Sequence, residues 1–328
     1  MYVLRAIGRL AQRYQMLSLM LALFVVGSVA SDYFLTVENL RNIIKQVSVI
    51  GISAVGGTMV IISAGIDLSV GSVIALVGVV IALLQALPVP LVLLIALAVG
   101  TLLGLANGAL NSYIRLPAFI TTLGTGGIAA GLALAWSGGW PLFITNRGFA
   151  PIGQGSILGI PTCPLVFLAV AIVGHIILTR TPFGVYVYGL GNNEEALRLA
   201  GINTRRNRTF IFVLAGFLAA LSGIVAASRS MTGDPSIGSQ LSFDVISAVV
   251  IGGTRIEGGY GGIVEAVIGT MMIGILNNVM NLTGVSTYYQ MLFKGAIIVV
   301  AVLTARADLP RLLGSLVGRR RARGNVEA

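Results

Sequence analysis

Ten apolar stretches, uncharged but for Lys294 in the last, follow one another along this chain, at about 14–31, 46–66, 68–87, 89–114, 116–138, 161–179, 209–228, 245–254, 266–284 and 286–305. A helix needs roughly 20 apolar residues to cross the hydrocarbon core of a bilayer. Most of the stretches reach that length. With only 11 acids and 21 bases in 328 residues, the chain also lacks the charge of a soluble domain, in which about 25% of residues are charged. The pattern predicts an all-α, polytopic membrane helical bundle of about ten transmembrane helices, with no sizeable soluble domain. The eighth stretch is too short to cross alone and is expected to reach back to Phe243 or forward to Glu257. Cleavage after Ser28-Val29-Ala30 is the alternative for the first stretch, but an uncleaved first span suits a many-span chain better.

Charge placement supplies an orientation. With the N-terminus inside and the spans alternating, the outer segments hold only Arg41, Lys45, Arg147 and Arg229, and Lys294 falls within the last span. The other 16 of 21 bases face inside, as the positive-inside rule requires. Both termini are therefore expected in the cytoplasm, and the net charge of +10 calls for membrane lipid and no nucleic acid. Three regions follow: an N-terminal segment at 1–14, a transmembrane region at 15–305 and a basic tail at 306–328. Leu4, Ile7 and Leu10 oppose Arg5, Arg9 and Arg13 in the first of these, the pattern of a short interfacial helix.

Gly100, Gly104 and Gly108 recur every four residues, as do Ala215, Ala219 and Gly223. Small residues at that spacing let helices approach closely in lipid. Catalytic chemistry finds little to work with. One histidine (His175) and one cysteine (Cys163) build neither a zinc site nor a disulfide framework, and both read as packing residues. Neither lysine follows a phosphate-loop glycine. Gly189-Leu190-Gly191 begins like a dinucleotide fingerprint, but Glu194 stands where the third glycine belongs. The chain is expected to bind no metal or cofactor and to be no enzyme.

The longest inner loop, 180–208, contains a short helix of its own. Asn192 or Asn193 suits the N-cap, and Glu194 and Glu195 favour the positive helix start. Ala196, Leu197, Leu199 and Ala200 form an apolar face, and Gly201 supplies a left-handed stop. A surface helix that merely closes the loop is one reading. A rigid peg that docks a cytoplasmic partner is the other.

Four motifs stand in order along the chain. They are Gly57-Thr58-Met59-Val60-Ile61-Ile62-Ser63-Ala64-Gly65-Ile66-Asp67-Leu68-Ser69-Val70-Gly71-Ser72; Asn107-Gly108-Ala109-Leu110-Asn111 with Leu116-Pro117-Ala118-Phe119-Ile120-Thr121-Thr122-Leu123-Gly124-Thr125; Glu195-Ala196 with Gly201 in the seventh place; and Ala248-Val249-Val250-Ile251-Gly252-Gly253-Thr254 with Gly258-Gly259 and Gly261. The third resembles the coupling-loop signature of ABC importer permeases. Together, over roughly residues 20–305, they resemble the ribose-type permease family of bacterial sugar importers. The resemblance implies the ABC importer permease fold in the bacterial inner membrane. It implies a second permease subunit (identical or a paralogue), a cytoplasmic ABC ATPase that hydrolyses the ATP, and a periplasmic substrate-binding protein. Asn193, Glu194, Glu195, Ala196 and Gly201 would then mark the helix that couples to the ATPase. The substrate would be a monosaccharide or similar small polyol, with a nucleoside or a sugar-like signal as the alternative.

Polar residues at membrane depth are candidates for the pathway: Asp67, Ser69, Asn107, Asn111, Asn277 and Asn278. Each has a plainer reading as well, Asp67 and Ser69 as helix caps and the asparagines as helix–helix contacts. The run Gly252 to Gly262, six glycines in eleven residues, reads as a loop or as a flexible gate. Glu257, Glu265 and the Thr254-Arg255 pair depart from the family pattern, and Glu265 reads either as a partner of Arg255 or as the mark of an unusual substrate. An ion-coupled secondary carrier, with Asp67, Glu265 and Lys294 as coupling groups, would need neither the ATPase nor the docking helix.

Overall fold

The computed structural model describes residues 17–305. The interfacial helix expected at 2–13, with its segment 1–14, and the basic tail at 306–328 lie outside the described residues. The chain is a bundle of helices: α1 (Leu17–Ala30), α2 (Val37–Ile62), α3 (Val70–Leu84), α4 (Val89–Ser112), α5 (Ala118–Ser137), the single turn α6 (Ala150–Gly153), α7 (Thr162–Arg180), α8 (Pro182–Leu199), α9 (Thr204–Ser230), α10 (Gly238–Ile251), α11 (Ile263–Leu282) and α12 (Thr287–Ala305). Six of them (α2, α4, α5, α7, α9 and α11) are long and apolar enough to cross a membrane, while α1, α3 and α10 are shorter apolar helices. Two-residue strands trim the loops. β1 (Leu142–Phe143), in the connection between α5 and α7, pairs antiparallel with β4 (Thr232–Gly233) after α9, and β2 (Ser156–Ile157) pairs with β3 (Ile160–Pro161).

α10 differs from its expected bounds. It begins at Gly238, well before the uncharged stretch, and carries Asp244 inside the bundle. An ion pair with Lys294, 2.7 Å away, neutralises that charge and allows the helix to extend through it.

Small residues set the closest helix crossings. A methyl group added at Gly104 would strike the Phe212 carbonyl oxygen and the Gly216 Cα, and Gly108 lies against the Thr209 backbone. The glycine stripe of α4 therefore seats α9 backbone to backbone. Of the stripe expected on α9, Ala215 meets Gly56 of α2 and Gly223 faces Ile74 and Val77 of α3, while the adjacent Gly216 and Ala220, outside that stripe, face α4. Overpacking such a contact costs about 1–3 kcal/mol. Gly104→Ala should lose that much stability in chemical unfolding of the detergent-purified chain. Gly127→Ala, with open space around the added methyl, should raise the midpoint slightly, because alanine is the better helix former.

The helices repeat. Offset by 167 residues, α2 through α5 match α9 through α12. The N-caps correspond: Thr36 accepts a hydrogen bond from the Asn39 amide and Asn203 accepts one from the Arg206 amide. The first helices of the two halves lie against each other in opposite directions, with Gly56 at Ala215 and the Ser222 hydroxyl donating to the Val49 carbonyl at 2.6 Å. This is an inverted repeat. It places the two short helices α3 and α10 in equivalent positions, each preceded by a non-helical segment (63–69 and 231–237). Their first turns touch inside the bundle, where a Cβ on Gly71 would overlap the Gly238 carbonyl oxygen.

Candidate functional site

The segment 182–201 is more helical than a loop with one inserted helix. Pro182 opens α8 at a position that needs no amide donor. The helix then kinks at Asn193, whose φ of −161° and ψ of 94° are extended. The kink is the N-cap of a second, short helix, because Asn193 Oδ1 accepts from the Ala196 amide at 2.9 Å. Its far end is a complete stop: the Gly201 amide donates to the Arg198 carbonyl and the Ile202 amide to the Leu197 carbonyl, with Gly201 at φ +80°. That pattern is the Schellman motif. The Arg198 guanidinium hydrogen-bonds Glu195 and holds its carboxyl below the usual carboxylate range, and Glu194 pairs with Arg208 at the start of α9 at 2.6 Å.

The base of this helix is pinned to two interior elements. The Tyr188 hydroxyl donates to the Gly261 carbonyl at 2.8 Å, and Asn192 Nδ2 donates to the Gly259 carbonyl at 3.2 Å. The Gly259 amide in turn donates to the Ile62 carbonyl at the end of α2, 2.8 Å away. Gly191 fits between them, with no room for a Cβ beside the Ile62 oxygen and the Gly259 nitrogen. The glycine-rich segment 252–262 is thus a loop, with positive φ at Gly253, Gly258, Gly259 and Gly261.

A second cluster forms where α3 begins. Three of the pathway candidates meet there in one directed chain. Thr125 donates to Asn107 Oδ1, Asn107 Nδ2 donates to the Ser69 hydroxyl at 2.9 Å, and that hydroxyl donates to Asp67 Oδ1 at 2.6 Å. The Ser69 amide also donates to Asp67 Oδ1. Ser69 caps α3 through its position, with no capping bond from its side chain. Thr122 bridges the Ile66 carbonyl and the Leu68 amide, and Ser242 of α10 bridges the Leu68 carbonyl and the Gly71 amide. Ser69 and Asn107 are fully buried, whereas Asp67 keeps part of its surface open. Thr122, Thr125 and Ser242 escaped sequence reasoning, although both threonines lie within a quoted motif.

The other candidates sit elsewhere. Asn111 donates to the Leu116 carbonyl, closing the α4–α5 turn. It lines a cleft of about 1010 Å³ together with Arg115, Glu194, Arg198, Arg205 and Arg208, so this cleft lies beside the short helix. Asn278 and Asn39 exchange hydrogen bonds across α11 and α2 at 2.7 and 2.9 Å, a helix–helix contact. Asn277 donates to Asp244 Oδ2 at 3.2 Å and joins the buried Asp244–Lys294 pair. Lys294 is therefore neutralised by a partner that sequence reasoning missed. One acid at the edge of the eighth apolar stretch and one base within the tenth were the available signal.

Arg255 and Glu265 form no ion pair among the described residues. Arg255 lies over the Tyr260 ring, 4.9 Å from its centre, and Glu265 occupies the first turn of α11. Cys163 is buried, and its thiol donates to the Gly153 carbonyl. His175 is not a packing residue within the chain. It stands exposed on α7 beside Ile172, Val173 and Ile176, a face the bundle leaves open. Among the described residues no group of three metal-ligating side chains comes together.

The family described as "Branched-chain amino acid transport system / permease component" matches residues 39–302. The ribose import permease protein RbsC of Haemophilus influenzae is 42% identical over 304 residues, covering 90% of this chain and 94% of the relative. RbsC of Bacillus subtilis is 38% identical, covering 87% and 89%. The D-allose transport system permease protein AlsC of Escherichia coli K12 is 35% identical, covering 88% and 89%. No solved structure matches. The chain is a multi-pass, all-α membrane protein and belongs to the branched-chain amino acid transport system / permease component family.

Proposed function

We propose that this chain is the membrane-spanning subunit of an ABC importer for a monosaccharide, and that it crosses the bacterial inner membrane ten times with both termini in the cytoplasm. Relatives named for ribose, allose and xylose transport support the sugar. The ten crossings combine the six long helices with α1, α3, α10 and α12, because the short α3 and α10 are completed by the non-helical segments before them. The observation that carries the reading is the short helix after Asn193. It is stopped at both ends and exposed, yet anchored through Gly191 to the end of α2. A helix so held transmits a push from a cytoplasmic ATPase to the loop that carries Asp67 and Ser69. Two permease subunits would enclose the pathway, a periplasmic binding protein would deliver the sugar, and ATP would be hydrolysed by the partner alone. The paired state of Lys294 speaks against the ion-coupled carrier.

Uptake of labelled ribose by cells producing the chain with its ATPase and binding protein tests this. Uptake should vanish when the ATPase is deleted and persist under a proton uncoupler while ATP is held constant. Uptake that survives loss of the ATPase would overturn the reading.

A further inference from the structure

The inverted repeat aligns two short motifs. Asp67-Leu68-Ser69-Val70-Gly71-Ser72 stands before and within the start of α3, and Asp234-Pro235-Ser236-Ile237-Gly238-Ser239 stands at the start of α10, 167 positions on. Four of the six residues are identical, and Val70 and Ile237 are both β-branched. The geometry repeats too. The Ser69 amide and hydroxyl donate to Asp67 Oδ1 at 2.8 and 2.6 Å, and the Ser236 amide and hydroxyl donate to Asp234 Oδ1 at 2.8 and 2.7 Å. Each turn releases a helix too short to cross the bilayer, and the two helices meet at the equivalent glycines Gly71 and Gly238.

The turns lie on opposite sides of the Gly71–Gly238 contact, with Leu68 bonded to Ser242 of α10 on one side and Gly233 packed against Gly78 of α3 on the other. The inner one continues from Ala64 and Ile66, which line the cleft beside the short coupling helix. The outer one follows β4, which pairs with β1 in the α5–α7 connection. In transporters built from inverted repeats, broken helices in corresponding positions flank the pathway, and alternating access moves one repeat against the other. Backbone contact at Gly71–Gly238 leaves no slack, so a shift of one short helix displaces the other.

We propose that Asp234 and Ser236 are positioning residues forming an outer hinge, the counterpart of the Asp67–Ser69 turn, and that the pathway opens to either side by releasing one turn while the other holds. The hinge rests on the importer reading, and two measurements separate them. In proteoliposomes holding the permease, its ATPase and the binding protein, Asp234→Ala should cut ribose uptake at least ten-fold. It should also abolish the stimulation of ATP hydrolysis by loaded binding protein, with basal hydrolysis held within two-fold. Asp234→Asn should keep more than half of wild-type uptake, because its amide oxygen accepts the same two hydrogen bonds. Ser236→Ala, a milder change at an exposed position, should lower uptake about three-fold. Near-normal uptake in Asp234→Ala, or equal damage in Asp234→Asn, would overturn the hinge.

The second measurement needs no transport. A cysteine introduced at Ser239 should react with a membrane-impermeant thiol reagent from outside, and one introduced at Ile66 from inside. Adding Asp234→Ala should raise the rate at position 239 at least three-fold. Modification of both positions from one side, or no change in rate, would overturn the proposal whatever the wild-type chain transports.

Discussion

Lys294→Met destabilises the folded chain by about 3–5 kcal/mol, the cost of leaving a buried charge without its partner. Lys294 and Asp244 are 1% and 2% exposed, their charged atoms are 2.7 Å apart, and Asn277 holds the second carboxylate oxygen. Three helices, α10, α11 and α12, thus meet on one carboxylate. Removing the ammonium leaves that buried carboxylate with a single amide as partner. The double variant Asp244→Asn with Lys294→Met removes both charges, keeps an oxygen facing Asn277, and should regain more than half of the loss. Denaturant titration of the four proteins in mild detergent gives the double-mutant cycle, and its coupling energy should fall at about 1–3 kcal/mol. A Lys294→Met midpoint equal to wild type would show that the pair contributes nothing to the folded state. The same argument explains why α10 begins seven residues before its uncharged stretch: the helix bounds follow from the pairing, not from hydropathy.

That case marks where the sequence stops being legible. Each apolar stretch overlaps one helix, because length and hydropathy are properties of a single segment. The short docking helix was legible for a similar reason, since an N-cap asparagine and a stop glycine act within one or two turns. The residues Asn193 and Gly201 do what their types suggest. Contacts between segments were not legible. Asn107 and Asn111 share a helix face by spacing, yet one is locked to Ser69 and Thr125 while the other closes a turn at Leu116. Nothing in the sequence around Asn278 announces Asn39. The preceding helical part of α8 was hidden by Gly184, Gly189 and Gly191, which lower helix propensity; Gly184 and Gly191 are required here by close packing against the backbone of other elements, and Gly189 lies against Leu197 of the short helix that follows. The inverted repeat lay in plain view in the two Asp-x-Ser-x-Gly-Ser motifs, and only the antiparallel contact of α2 with α9 gave it meaning.

Gly191→Ala should uncouple the transporter, lowering uptake at least ten-fold while ATP hydrolysis by the assembled complex continues. The added methyl would sit against the Ile62 carbonyl oxygen and the Gly259 amide, between the partners of a 2.8 Å hydrogen bond. Neither side can yield by rotating a side chain, because both obstacles are backbone. α8 must move away from the end of α2 or the bond must open, and either change severs the path from the short helix to the Asp67 turn. Gly201 makes the useful contrast. A Cβ there meets nothing within 4 Å, but φ is +80°, so Gly201→Ala strains only the helix stop, by about 1–2 kcal/mol. Uptake in that variant should fall no more than a few-fold, even though Gly201 belongs to the recognisable motif and Gly191 does not. Paired measurement of sugar uptake and ATP hydrolysis in proteoliposomes checks both, with the amount of membrane-inserted chain as control. Uptake and hydrolysis falling in equal proportion for Gly191→Ala would place that glycine in assembly of the complex instead of in coupling. A larger loss for Gly201→Ala would mean that the conformation of the helix stop, and not the junction beneath it, carries the signal.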